Sequence, residues 1–592
     1  MRRTCSMPRL VKIHAFGYFL CMGLNVTIIG AGLTGTAVIS RLTRVLHEAR
    51  KADSNEPAIS GIRVIEREPE CGPGFPHSAR TAFPRHLINM CPWDMSILAD
   101  NPQDFLEWLE TRHEEFSESF PMFRPHLDRQ MTAPEPCPFV PRGVMGEYLK
   151  ERFHQARLLA RKNSVPFEVF QGWEAIDLQE ETRQIRLWMK NRQTGHCRTL
   201  STDRVVLTTG HWFEEIPEDM DGNFFPSPWP SRLLQAKVPV GARVAILGSS
   251  LSAVDTVLTL STPPDYNPQR VNGEMLSFSG HERRTLVLCS RNGLLPKVRG
   301  RMGSYRNVFL TPERLLNRKK ADAGIRLQEI GRLLSADLTR AYGRPFPWRD
   351  ELFPGTSPAR YLEKCLLEAE QGDGPQGALL WQTVLHQAFS MARDIYLHLW
   401  PRDRIRFDRD LASHFFRFAA PMPIVNARRL KALFASGRLE LRALGADYEL
   451  QGENQGPGFV LTWTEAQGSR RQERFDAVVD ARGQSKSFSS NQSELARNLL
   501  ASNTACLEQL DLSASNSQSK AEGWDFTSGG LWIDPDTQRL KRLGPDGRTD
   551  CSQAVYAAGP PTRGQILDAS MAWSSALAAQ RIVQDIMEQP PE

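Results

Sequence analysis

The sequence predicts an α/β chain built as two parallel-sheet units, each carrying a β-meander, with a helical insertion in the second unit. Three observations carry that prediction. Two strand–glycine–helix turns of similar design lie roughly two hundred residues apart, each is followed by a meander, and each meander ends in a strand running into glycine. An internal repeat of domain size follows from the second occurrence of this order.

The first turn is Val26-Thr27-Ile28-Ile29-Gly30-Ala31-Gly32-Leu33-Thr34-Gly35, an apolar strand entering G-x-G-x-x-G. Val38, Leu42 and Val45 continue it as a helix, being apolar at helical spacing. The next strand, Ile62 to Glu66, closes on an acid. It arrives later than the usual ~20-residue interval, through a lengthened helix and the polar stretch Glu48 to Pro57. A Gly/Pro-rich turn, Cys71 to His77, follows. The first meander is read at Phe167–Trp173, Ala175–Leu178, Gln184–Met189 and Arg204–Thr208, ending at Gly210.

The second turn is Val244-Ala245-Ile246-Leu247-Gly248-Ser249-Ser250-Leu251-Ser252-Ala253, with Ser and Ala at its second and third small positions. Its next strand, Thr285 to Ser290, ends beside Arg291 rather than an acid. About 308–407 reads as helical, rich in Leu, Arg, Ala and Glu: either a cap or a wall of a substrate pocket. The second meander runs from Leu439 to Gly483. The tail offers Val555 to Gly559 as a strand into glycine, then a helix from Ile566. These marks divide the chain into a dispensable extension over 1–22, a first unit over 23–235, a second over 240–470, and a return to the first over 471–592.

Each turn points to a dinucleotide. Gly30, Gly32 and Gly35 let the backbone touch a pyrophosphate at a helix N-terminus, and Glu66 stands where a Rossmann-like domain places its ribose ligand. In the second turn Gly248, Ser250 and Ser252 take the phosphate role, although Ser250 replaces the glycine that admits the pyrophosphate. Ser290 and Arg291 follow, and an Arg there suits a 2′-phosphate, hence NADPH over NADH. A resident cofactor and a visiting reductant make a redox enzyme the leading reading.

Composition narrows the alternatives. Net charge is +5 over 592 residues, which leaves no nucleic-acid footprint. Past the first residues no segment approaches the ~20 apolar residues of a spanning helix. Ten scattered cysteines without C-x-x-C argue against a structural zinc, any metal site and a redox dithiol, and fit a cytoplasmic location. Arg2 and Arg3 precede an apolar stretch, Ala15 to Leu24, but Lys12 and His14 interrupt the approach, so a signal peptide is not favoured.

Leu87 to Ser96, the Cys71–His77 turn, Phe139 to Leu149, Cys289 to Pro296 and Gly559 to Gly564 resemble FAD/NAD(P)-binding proteins that include the aspartate N-monooxygenase (nitrosuccinate synthase) family. The resemblance spans about 24 to 585 in blocks, specific in the first half and loose in the helical middle. It implies FAD in the first unit, NAD(P)H in the second, Asn89 and Met95 beside the flavin ring, and Arg142 near the cofactor. Gly210 and Gly559 close strands next to the flavin. Ser250 and the segment Pro421 to Arg428 depart from the family pattern.

The expected activity is hydroxylation of an amine on a small amino-acid-like substrate, using O2 through a C4a-hydroperoxyflavin. An NADPH-dependent flavin dehydrogenase or oxidase, and a redox-sensing flavoprotein without turnover, stay open. His77 and His211 lie in suitable loops but fit packing or hydrogen bonding equally well. Asp568 could face the flavin or cap a helix, and Arg142 and Arg563 could bind phosphates or a substrate carboxylate. Neither the catalytic base nor the oligomeric state can be read from the sequence.

Overall fold

A computed structural model describes residues 23–589 except 53–58, 120–138, 183, 213–221, 263–283, 321–323, 454–457, 466, 486, 513–525 and 545–547. The extension over 1–22 lies outside the described residues.

Apolar β-branched runs form the strands, and glycines with positive φ end them. In the first unit β1 (Leu24–Ile29) lies between β2 (Ile59–Glu66) and β7 (Arg204–Leu207), with β3 (Phe167–Gln171) beyond β2. All these pairings are parallel. Val26 and Ile28 are fully buried on one face, Ile29 and Val205 on the other, so both faces carry core, as parallel sheets require. Phe167–Gln171 is thus a sheet strand, not the first strand of the meander. Pairing with β2 claims it, and the antiparallel meander is β4 (Trp173–Glu180), β5 (Ile185–Asn191) and β6 (Cys197–Thr202).

The second unit repeats this order. Here β9 (Arg243–Leu247) lies between β10 (Thr285–Ser290) and β15 (Ala477–Asp480), with β11 (Leu439–Ala443) beyond β10. Its meander is β12 (Tyr448–Gly452), β13 (Phe459–Thr464) and β14 (Arg470–Phe475). The fifth strand, β8 (Phe224–Phe225), pairs with β15. The second sheet therefore includes residue 224, ahead of the expected boundary at 235, and runs on to Asp480, past the expected 470. Hydrogen bonding of β8 and β15 to that sheet sets both limits.

Helices make up Pro312–Lys320 and most of 327–435, beyond the expected end near 407, because Ala412–Ala419 and Ile424–Ala435 continue the run. They hold their own cores around Tyr396 and Trp381. A short pair, β16 (Leu507–Leu510) and β17 (Phe526–Leu531), precedes the return, where β18 (Arg539–Leu543) and β19 (Thr549–Ala557) join the first sheet beside β7. The last helix is Ala572–Glu588, later than the expected start at Ile566, because the turn Pro560–Thr562 and the loop after it intervene. Six of the described cysteines are free, while Cys91 is disulfide-bonded.

Candidate functional site: a two-fingerprint cleft

The first turn leaves no room for side chains. Gly30 (φ +95°) donates its N–H to Ile65 O at 2.8 Å, and Thr208 Oγ1 donates to Gly30 O at 2.7 Å. A Cβ on Gly35 would lie 1.9 Å from Gly30 O, and one on Gly32 3.2 Å from Gly74 Cα. The helix Leu33–Lys51 begins at Gly32 with no side-chain cap, so its first N–H groups face the cleft as an anion site. Buried Glu66 supports the turn from below: Oε2 accepts from Ala31 N at 2.6 Å and Oε1 from Glu68 N at 2.8 Å. Burial raises its pKa despite these two donors.

The second turn is built alike but more loosely. Gly248 (φ +112°) donates to Cys289 O at 2.6 Å, and a Cβ there would meet Ala481 O at 2.9 Å. Ser249 Oγ donates to Leu294 O at 2.6 Å and lies 2.9 Å from Ser290 Oγ. Ser250 starts the helix Leu251–Ser261 without a side-chain cap bond, and its side chain is exposed on the cleft wall rather than wedged into the turn. Ala253 is fully buried.

A recess at the first turn is lined by Gly30, Gly32, Glu66, His77 and Gly210 among others. It shares Phe75, Pro76, His211, Trp212 and Ser570 with a cavity of about 610 Å³. That cavity gathers Asn89 and Arg142 from the first unit and Ser250, Ser252, Ser290 and Arg291 from the second. Its wall is completed by Arg563 and Asp568 from the return and by His414 and Arg417 from the insertion.

Not every expected residue reaches this space. Gly35, Gly248 and Gly559 shape turns, and Gly559 (φ +79°) packs on Thr34, where a Cβ would lie 2.8 Å from its Oγ1. Met95 packs in the core of the first unit, away from the cavity wall, because its turn faces inward. Arg142 lines the cavity, but its guanidinium is engaged: Nε donates to Leu87 O at 3.1 Å and Nη2 to Asp255 Oδ2 at 2.7 Å. It ties the first unit to the helix Leu251–Ser261. His86 Nε2, 3.0 Å from Thr259 Oγ1, makes a second tie to that helix. Asp568 accepts from Trp573 Nε1 and Ser574 Oγ, so it orders the start of the last helix.

The histidines are weak bases. Burial, with Arg142 nearby, pushes His77 down to about 3, and burial pushes His211 down to about 4. His211 Nδ1 donates to Gln484 Oε1 at 2.6 Å. Burial likewise lowers Arg563, whose Nη1 donates to Gln484 O at 3.3 Å. Arg291 Nη1 donates to Arg409 O at 3.1 Å, so the expected 2′-phosphate ligand also touches the insertion. Missing from the sequence reading were Trp229, His414 and Arg417. Their only signal was the i, i+3 spacing of His414 and Arg417 within an otherwise bland helical stretch.

Among the described residues no His/Cys/Asp/Glu group could hold a metal, and no helix is long and apolar enough to cross a membrane.

Residues 27–212 match the FAD-NAD(P)-binding family model. The uncharacterised protein YdhS of Escherichia coli (strain K12) is 25% identical over 484 residues, covering 78% of this chain and 83% of YdhS. Among solved structures, the reduced form of ornithine hydroxylase (PvdA) from Pseudomonas aeruginosa is similar at TM-score 0.51 and 12% identity, over 96% of this chain and 99% of that one. The cadaverine monooxygenase DfoA of Erwinia amylovora, bound to FAD, is similar at TM-score 0.49 and 10% identity, over 96% and 95%. Residues 27–212, which carry the first glycine turn, thus form an FAD-NAD(P)-binding domain, and the chain as a whole shares its fold with the ornithine hydroxylase.

Proposed function

We propose that the chain is an FAD- and NADPH-dependent monooxygenase acting on the amine of a small amino-acid-like substrate. The observation supporting this reading is the single cleft that joins both glycine turns to polar residues of the insertion. Gly30, Gly32 and the N-terminus of Leu33–Lys51 hold the FAD pyrophosphate, with Glu66 at the ribose. Bound there, FAD supplies two-electron transfer from NADPH and activation of O2.

Ser250, Ser252 and the N-terminus of Leu251–Ser261 hold the NADPH pyrophosphate, and Arg291 selects the 2′-phosphate. Arg142 and His86 keep that helix at a fixed distance from the first unit. Trp212, Trp229 and the insertion exclude water, and neutral His211 orients Gln484 beside the buried Arg563. The similarity of fold to an ornithine hydroxylase agrees with this reading.

The test is anaerobic reduction of FAD-loaded protein followed by oxygen. NADPH is expected to bleach the flavin much faster than NADH, and Arg291→Gln to raise the NADPH concentration needed by about tenfold, one ion-pair's worth. After oxygen is admitted, peroxide released per NADPH should fall when the right amine is present. Bleaching by neither nucleotide rejects the second-unit assignment. Constant peroxide yield across an amine panel leaves an oxidase.

A further inference from the structure

The loop that follows β10 runs directly against the insertion. Arg291 Nη1 donates to Arg409 O at 3.1 Å. Asn292 Nδ2 donates to Ser413 Oγ at 3.3 Å and stands 3.5 Å from His414 Nε2. Arg409 belongs to a π-helical turn, Phe407–Leu411, that delivers the helix Ala412–Ala419 to this point. Such wide turns are rare and gather at functional sites. Asn292, Ser413 and His414 line the same cavity of about 610 Å³ as Ser250 and Ser252.

In a Rossmann-like unit the adenosine half of a dinucleotide lies at the end of the second strand. Here that strand is β10, parallel to β9. The side chains gathered at its end are only loosely paired with one another. Both contacts of Asn292 Nδ2 exceed the usual N–H···O distance of about 2.9–3.0 Å. They leave its Oδ1 acceptor uncommitted among the described residues, and Asn292 and Ser413 are both exposed. His414 is buried, and burial with Arg417 nearby lowers its pKa, so it presents a flat, uncharged imidazole. Phe353 meets that ring edge-on, with centroids 5.8 Å apart, and steadies its plane. His414 Nδ1 is buried without a hydrogen-bond partner, so Asn292 is the ring's one polar contact among the described residues.

We propose that Asn292, Ser413 and His414 recognise the adenine base of the reductant, so that the insertion completes the nucleotide site of the second unit. A carboxamide carries an acceptor and two donor hydrogens, which match the edge of adenine where N6 donates and N7 accepts. Adenine N6 donates to Asn292 Oδ1. One Nδ2 hydrogen stays on Ser413 Oγ and holds the carboxamide in that orientation, while the other turns from His414 to N7. The imidazole of His414 offers the base a ring to stack on. That the base belongs to NADPH rests on the reading of the second turn as the reductant's site; the preference among bases is a separate property of Asn292 and the insertion.

The test is calorimetric titration of the FAD-loaded protein with NADP+ and with its hypoxanthine counterpart, in which a carbonyl replaces the 6-amino group. That carbonyl faces Asn292 Oδ1, acceptor against acceptor, so NADP+ is expected to bind about tenfold more tightly, the worth of one hydrogen bond. Asn292→Ala should make the two nucleotides bind alike, and Ser413→Ala should shrink the preference. His414→Leu should weaken both by about tenfold, the scale of one stacked base, and His414→Phe, which keeps a flat ring, should restore much of that loss. Arg291→Gln should weaken both equally and leave their ratio unchanged. A ratio of affinities does not move when a variant merely loosens the fold. A ratio near one in the unaltered protein, or one that survives Asn292→Ala, overturns the proposal and leaves the second-unit assignment standing. Binding of neither nucleotide overturns both.

Discussion

The two sheet units share one strand order but differ in how tightly their glycine turns are closed. In the first, β3-β2-β1-β7-β19 runs across the sheet; in the second, β11-β10-β9-β15-β8 does the same. The fifth strand of the first unit comes from the far end of the chain, whereas the second unit takes its own from just ahead of β9. At the turns, Gly35 is enforced by contact with Gly30 O, while the corresponding Ala253 carries its Cβ without difficulty. A turn on which helix and strand backbones press directly suits a cofactor that stays. A looser turn with a serine facing the cleft suits one that comes and goes.

The tie between the units gives the largest expected effect. Arg142→Ala leaves Asp255 buried without its partner, and should cost about 3–5 kcal/mol in urea melts. A loss below about 1 kcal/mol, the scale of exposed pairs, would show the tie to be incidental. Next, Gly35→Ala should destabilise by about 3 kcal/mol, at the upper end of overpacking, and should lower the flavin absorbance of purified protein. The matching Ala253→Gly costs only about 1 kcal/mol of helix propensity. Equal losses at the two positions would erase the contrast between the turns.

The third prediction concerns pH. Burial pushes Asp255 up to about 6 from its ordinary value of 3.8, against the pull of Arg142. A folded-state pKa above the unfolded value stabilises fully below the unfolded pKa and loses that contribution as pH rises through the folded one. Relative to Asp255→Asn, the unaltered protein should therefore lose about 2–3 kcal/mol between pH 4 and 7, measured by melts across that range. Parallel profiles for the two proteins would contradict the assignment. Smallest is Ser250→Gly: because Ser250 makes no capping bond, stability should change by no more than a few tenths of a kcal/mol. A larger loss would mean that the serine supports the second turn after all.

Local pattern made the two turns and the repeat legible, because G-x-G-x-x-G after an apolar run leaves few other geometries. Ser250 is instructive: substitution suggested crowding, but the side chain projects into the cleft, a direction set by backbone torsions that sequence does not display. Glu66 sat where a ribose ligand belongs, yet its two hydrogen bonds to Ala31 and Glu68 depend on how the turn folds over it. Met95 lies in the core of the first unit and Arg142 on the cavity wall with its guanidinium bound to Asp255, for a related reason. Resemblance places a segment near a cofactor but does not say which side chains of that segment face it.

The helix Leu251–Ser261 has its N-terminus on the cleft and its flank fastened to the first unit through Asp255 and Thr259. On the proposed reading, reductant and flavin would be registered against each other by a strut that exists before either arrives. Precision of the electron-transfer distance would then be inherited from folding, not negotiated at each encounter. Reduction of the unaltered protein should follow a single exponential, whereas a chain with the strut cut would show a spread of rates, one for each distance its halves happen to hold.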